Sequence, residues 1–206
     1  MTLKDWIIPA RTALVLVDMQ VDFASPNGAS GNAGYDLTTA QAAVKKSEQL
    51  AEAARGAGVP LVFVRLITRP GEETDFLREW KTRRGSDDAL LCREGSPGAE
   101  FVGPRPGPGD YVVSKSRYSP FTATRLDESL RAMARDTLVI CGLTTECCID
   151  ATARDGFERD YHIIIAADAV AAYEPGLHAA ALKALALNCA TLAATREIAA
   201  AWALGK

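Results

Sequence analysis

The 206-residue sequence predicts an α/β fold in which a parallel β-sheet is covered by helices on both faces. Three observations predict it. Short β-branched runs alternate with longer amphipathic or alanine-rich stretches along the chain, which is the rhythm of βαβ units. The short runs are almost continuously apolar, as strands buried on both faces must be. The length suits a single domain, residues 1–206, able to enclose a full hydrophobic core.

The expected elements follow in order. Thr12 to Val17 is the first strand. Ala24 to Tyr35, rich in Gly, Asn, Ala and Ser, breaks the rhythm and reads as a mobile loop. A helix spans roughly Thr38 to Ala57; Gly56, Gly58 and then Pro60 mark its end. Strands follow at Pro60 to Ile67 and Tyr111 to Ser114. The stretch from Thr68 to Asp110 between them holds one short helix near Thr74 to Thr82 and ends in a Pro/Gly-dense segment. Both irregular stretches read as loops bordering a site, because the alternation resumes after each. Helices are expected over Thr122 to Ala134, Thr145 to Arg159, Leu177 to Leu187 and Thr195 to Leu204. The remaining strands are Thr137 to Cys141, Tyr161 to Ala167 and Cys189 to Ala193.

Composition narrows the function. The chain is 48% hydrophobic and 24% charged with a formal net charge of −3, and it has no basic tract. Nucleic acid and membrane surfaces are poor partners for such a chain. The first residues lack the apolar core and cleavage site of a signal peptide. The five cysteines, Cys92, Cys141, Cys147, Cys148 and Cys189, form no Cys-x-x-Cys pair and read as free thiols in a reducing, cytoplasmic setting.

Ligands of open parallel sheets bind beyond the carboxyl ends of the strands. Asp18 ends the first strand, Lys115 ends another, and Cys147 and Cys148 follow a third where the chain turns into a helix. Asp168 is expected as a fourth polar group at that edge. Singly, these residues read as a cap, a surface charge and a core thiol. Together, they bring a carboxylate, an amine and a thiol to one edge. A thiol at a helix N-terminus meets unsatisfied N–H groups and the positive end of the helix dipole, which favour the thiolate. Both histidines are poorly placed as its base: His162 opens its strand at the far edge and His178 lies in an alanine-rich helix. Asp18 is left as proton acceptor and Lys115 as the charge beside sulfur.

At these residues the chain resembles the isochorismatase-like cysteine hydrolases, which include N-carbamoylsarcosine amidases and ureidoacrylate hydrolases. Three ordered segments carry the likeness: Leu14 to Phe23, Lys115 to Phe121, and Gly142 to Ile149 with the pattern Gly-x-x-Thr-x-x-Cys, which selects Cys148 over Cys147. The resemblance implies three layers around a six-stranded, mostly parallel sheet, and a homodimer or homotetramer. It implies catalysis by Asp18, Lys115 and Cys148. It also implies a cis peptide between Leu143 and Thr144, with the N–H groups of Thr144 and Cys148 as oxyanion hole. The reaction is then hydrolysis of a small amide, carbamoyl or ureido substrate through a thioester, with no cofactor.

Departures from the family pattern refine this. Val62 to Pro70 contains no histidine, which disfavours the metal-dependent nicotinamidases. Asp168 to Tyr173 lacks the glutamine that ureidoacrylate and biuret hydrolases use, which points to a less polar acyl group bordered by Phe23, Tyr118, Phe121 and Tyr173. Two other classes stay open: a vinyl-ether or ester hydrolase using the same cleft, and a catalytically silent binding protein.

Overall fold

The computed structural model describes residues 2–69, 71, 73–83 and 91–203. In chain order its elements are α1 (Leu3–Trp6), β1 (Thr12–Val17), α2 (Val21–Ala24), α3 (Ala29–Asn32), α4 (Thr38–Ala57), β2 (Leu61–Leu66) and α5 (Asp75–Arg83). There follow a 3₁₀ turn (Pro97–Ala99), β3 (Tyr111–Lys115), α6 (Leu126–Ala132), β4 (Thr137–Leu143) and a π turn (Thr145–Ile149). The chain continues through α7 (Asp150–Phe157), β5 (His162–Ala171), α8 (Pro175–Asn188), β6 (Thr191–Ala193) and α9 (Thr195–Ala203). Among these residues no helix is long and apolar enough to cross a membrane.

The six strands form one all-parallel sheet in the order β3-β2-β1-β4-β5-β6. The period-2 alternation of β1 divides the core. Leu14 and Leu16 face a layer that includes Leu50 and Ala54 of α4 and Ile198 and Trp202 of α9. Ala13, Val15 and Val17 face the opposite layer, with Leu126 and Leu130 of α6, Ala153 of α7 and Leu185 of α8. Helices therefore cover both faces, as the apolar runs require. Each fully buried Leu, Ile or Val contributes about 1.5–3 kcal/mol relative to exposure.

The strand order reverses between β1 and β4, so a crevice opens beyond their carboxyl ends. The two strands approach closely there. Gly142 pairs with Val17 and has φ +120°; a Cβ on it would sit 2.0 Å from the Val17 carbonyl oxygen. Only glycine fits at that position.

Several expected boundaries move. The segment Thr122 to Ala134 is helical only from Leu126, because residues 119–125 fold into a turn in which the Leu126 N–H donates to Thr124 Oγ1 at 3.2 Å. The expected loop from Ala24 to Tyr35 contains α3, and its Ser30 is buried. The largest change concerns β5. Its pairing with β4 breaks at a bulge and resumes at Gly142↔Val170 and Leu143↔Ala171, extending the strand four residues beyond Ala167. Asp168 therefore falls within the bulged stretch and not at the carboxyl edge. Its Oδ1 accepts hydrogen bonds from the Thr195 N–H (2.6 Å) and hydroxyl (2.8 Å), capping α9.

Candidate active site

Three strand ends converge at the crevice. Asp18 follows β1 with φ +51°, a left-handed conformation that Asp tolerates better than most side chains. Its N–H donates to Val64 O of β2 at 2.9 Å, which fixes the turn. Lys115 closes β3, two strands away from β1, and its long side chain spans that distance. Cys148 lies in the π turn that joins β4 to α7. The Cys147 and Ile149 N–H groups both donate to Thr144 O, at 3.2 and 3.1 Å, and the Thr152 hydroxyl donates to Cys148 O. The expected cis peptide between Leu143 and Thr144 is present.

These three side chains meet. Lys115 Nζ donates to Asp18 Oδ2 at 2.7 Å and to Cys148 Sγ at 3.4 Å. Asp18 is 0% exposed and Lys115 2% exposed, so the pair is removed from water. Asp18 Oδ1 is buried and accepts no hydrogen bond among the described residues.

The electrostatics follow from this burial. Desolvation alone would lower the Lys115 pKa. The Asp18 carboxylate, the Cys148 sulfur and the hydrogen bonds to both outweigh it and raise the value. Cys148 behaves differently from the expectation of a helix-terminus thiolate. Its hydrogen bond with Cys147, its burial and the adjacent Asp18 charge push the thiol well above its ordinary value, against the opposing pull of Lys115. The lysine charge is shared with a carboxylate 2.7 Å away, which weakens its pull on the sulfur.

A cavity of about 330 Å³ opens over this cluster, and Cys148 lines it while Asp18 and Lys115 do not. Of the four expected substrate-contacting aromatics, Phe23, Tyr118 and Tyr173 line the cavity. The Tyr173 hydroxyl donates to Phe23 O (2.7 Å) and is 2.9 Å from Ser30 Oγ, while its ring stacks on Tyr35 with centroids 4.8 Å apart. The loop after β1 is thereby tied to the end of β5. Phe121 does not line the cavity. It is buried in the layer under α6 and α7, with the Tyr161 ring 5.8 Å away and the Arg159 guanidinium over its face. The turn at residues 119–125 directs it inward, so it is a core residue.

Four charged residues of the cavity wall, Arg69, Glu73, Arg117 and Glu146, lie outside the sequence expectation. Arg117 pairs with no carboxylate among the described residues; its guanidinium donates to Ser116 O at 3.3 Å and Thr74 Oγ1 at 3.5 Å. Glu146, from the π turn, accepts a hydrogen bond from Thr144 Oγ1 at 3.1 Å. The cavity is therefore more polar than the expected apolar acyl pocket. Asp22 also gains a role: its carboxylate accepts from Ala29 N (3.0 Å) and Cys92 N (2.6 Å) and holds two loops together. Its only signal in the sequence is a carboxylate four residues after Asp18. Cys147 also lines the cavity beside Cys148.

Comparisons with known proteins agree with this fold. Residues 12–197 match the family model described as Isochorismatase domain. The ureidoacrylate amidohydrolase RutB of Methylobacterium radiotolerans is 34% identical over 187 residues, which are 84% of this chain and 72% of that protein. A cysteine hydrolase from Pseudomonas syringae pv. phaseolicola superposes with a TM-score of 0.85 at 30% identity, covering 96% of this chain and 95% of the other. The N-carbamoylsarcosine amidase of Thermoplasma acidophilum has a TM-score of 0.73 at 32% identity, covering 90% of this chain and 96% of the other.

Proposed function

Since the chain belongs to the isochorismatase family, we propose that Cys148 is its nucleophile, with Asp18 as proton carrier and Lys115 as the charge that steadies both. It is an amidohydrolase: its relatives cleave carbon–nitrogen bonds other than peptide bonds in small amide and ureido compounds. One observation carries the assignment of roles, namely the buried contact of Lys115 Nζ with Asp18 Oδ2 and Cys148 Sγ beneath the cavity.

The cycle runs in two halves. With substrate in the cavity, Asp18 takes the Cys148 proton, and Lys115 offsets the charge that forms on sulfur. Sulfur bonds to the carbonyl carbon, and the Thr144 and Cys148 N–H groups receive the oxyanion. The carbon–nitrogen bond breaks as Asp18 returns its proton to the departing nitrogen, so ammonia or an amine leaves and a thioester remains. Water then attacks the thioester and gives a proton to Asp18. The carbon–sulfur bond breaks, and that proton restores the thiol. No cofactor enters either half.

The cavity residues Phe23, Tyr118 and Tyr173 bound the acyl group, and Arg117 favours an acidic tail. The 206 residues act as one hydrolase domain in the cytoplasm, assembled as a homodimer or homotetramer. Helix α8 supports the assembly. Its residues are mostly Ala and Leu, yet only Leu185 is buried, and Leu177 and Leu187 are 49% and 83% exposed.

The test is ammonia release from a panel of ureido, carbamoyl and amide compounds, with Cys148→Ala and Cys147→Ala beside the parent protein. Turnover should disappear in Cys148→Ala and persist in Cys147→Ala. The reverse pattern would overturn the assignment of the nucleophile, and cleavage of esters alone would overturn the amidohydrolase reading.

A further inference from the structure

We propose that Glu146 makes this enzyme selective for ureido substrates over plain carboxamides, by accepting a hydrogen bond from the N–H on the acyl side of the scissile carbonyl. The inference rests on the reading of Cys148 as the nucleophile of an amidohydrolase.

Two carboxylate oxygens of the site are buried and have no donor among the described residues: Asp18 Oδ1 and Glu146 Oε2. A buried acceptor left unpaired is costly, so each is expected to meet a donor in the working complex. Asp18 Oδ1 is accounted for by the proton that passes between sulfur and the leaving nitrogen. Glu146 Oε2 has no part in that cycle. Its partner oxygen, Oε1, is held by Thr144 Oγ1 at 3.1 Å, which orients the carboxylate within the cavity wall.

Glu146 and Cys148 line the same cavity, whereas Asp18 does not. In the proposed cycle the leaving nitrogen goes to Asp18, so the acyl substituent of a carbonyl carbon on Cys148 Sγ is the part of the substrate left to meet Glu146 in the cavity wall. In a carboxamide that substituent begins with CH₂, which gives Glu146 nothing. In a ureido compound it begins with N–H, a donor at the atom next to the carbonyl. The thiocarbamate formed after ammonia leaves keeps that N–H, so the contact lasts through both halves of the reaction.

The experiment compares N-carbamoyl-β-alanine with glutaramate, its isostere with CH₂ in place of the inner N–H. Both carry the same carboxylate, so any contact with Arg117 cancels. A urea carbonyl is intrinsically less electrophilic than a carboxamide carbonyl, so the readout is the change in the ureido-to-carboxamide ratio of kcat/KM for ammonia release. Glu146→Ala should lower that ratio by roughly 10- to 100-fold, the range of a hydrogen bond to a charged acceptor, chiefly by losing rate on the ureido compound. Glu146→Gln keeps the side-chain shape with a neutral acceptor and should fall between; it carries the test if the alanine variant does not fold. An unchanged ratio in either folded variant overturns the inference.

Binding to Cys148→Ala separates this inference from the functional reading. Tighter binding of the ureido compound, lost in Cys148→Ala/Glu146→Ala, upholds the role of Glu146 even if the parent protein cleaves neither compound, in which case the amidohydrolase reading fails alone. Equal affinity for the two compounds, including no binding of either, overturns the role of Glu146.

Discussion

Replacing Lys115 by methionine tests the buried cluster most directly. Methionine keeps much of the aliphatic volume and removes the charge, leaving the Asp18 carboxylate without its cation. At the observed 2.7 Å the Coulomb attraction is about 6 kcal/mol with an effective dielectric of about 20. The desolvation of the ammonium in the native protein offsets part of that. Removing one partner of a buried pair costs about 3–5 kcal/mol, because the remaining charge is stranded. A cost of that size is a large fraction of the roughly 5–15 kcal/mol that keeps a domain folded. Urea unfolding followed through the buried Trp202 should show a midpoint lowered by roughly 1–2 M. The companion variant is Asp18→Leu/Lys115→Met, which removes both charges. It should recover at least half of the loss while remaining inactive, since an apolar pair leaves no charge uncompensated. A double variant no more stable than Lys115→Met would refute the account, because the loss would then come from packing and not from a stranded carboxylate.

Four further outcomes are expected. Alkylation of the parent protein by iodoacetamide should be slow at Cys148 at pH 7 and accelerate with rising pH, because the thiol is held above its ordinary value; rapid labelling at pH 7 would contradict this. Folding stability should fall as pH rises above 9. Burial pushes the Cys141 thiol up to about 12 from an ordinary 9.0, and Lys115 joins above its ordinary 10.5. The folded state keeps protons that the unfolded chain releases in that window, so each group's contribution is full below its unfolded pKa and lost above it. Equal urea midpoints at pH 8 and pH 10.5 would contradict it. Phe121→Ala should cost about 3–5 kcal/mol by opening a core cavity, with the KM of the folded fraction unchanged; a raised KM without destabilisation would return Phe121 to the substrate site. Asp168→Ala should cost about 1 kcal/mol through loss of the α9 cap, and kcat/KM should stay within about twofold; a larger loss of activity would place Asp168 in the site after all.

The layers, the strands and the convergence of Asp18, Lys115 and Cys148 were legible because each rests on local pattern. The short apolar run of Leu14 to Val17, too brief for a helix and followed by a polar residue, reads as a buried strand, and the residue that ends it stands at the sheet edge. Phe121 and Asp168 were misplaced for the opposite reason. Phe121 follows a lysine that enters the site, yet a turn sealed by Thr124 sends its ring into the core. Asp168 looked terminal because a bulge interrupts β5, and the pairing that resumes at Val170 depends on β4, distant in sequence. Glu146 and Arg117 gave no signal at all, since a charged residue on a loop is ordinarily solvated. The chain's own pattern therefore determined which strands form and which reactive groups reach their ends. Only the tertiary packing decided which side chains turn inward, which oxygens are left without donors, and that burial raises the Cys148 thiol. Those properties depend on burial and on charges a few ångströms apart, and neither is a function of spacing along the sequence.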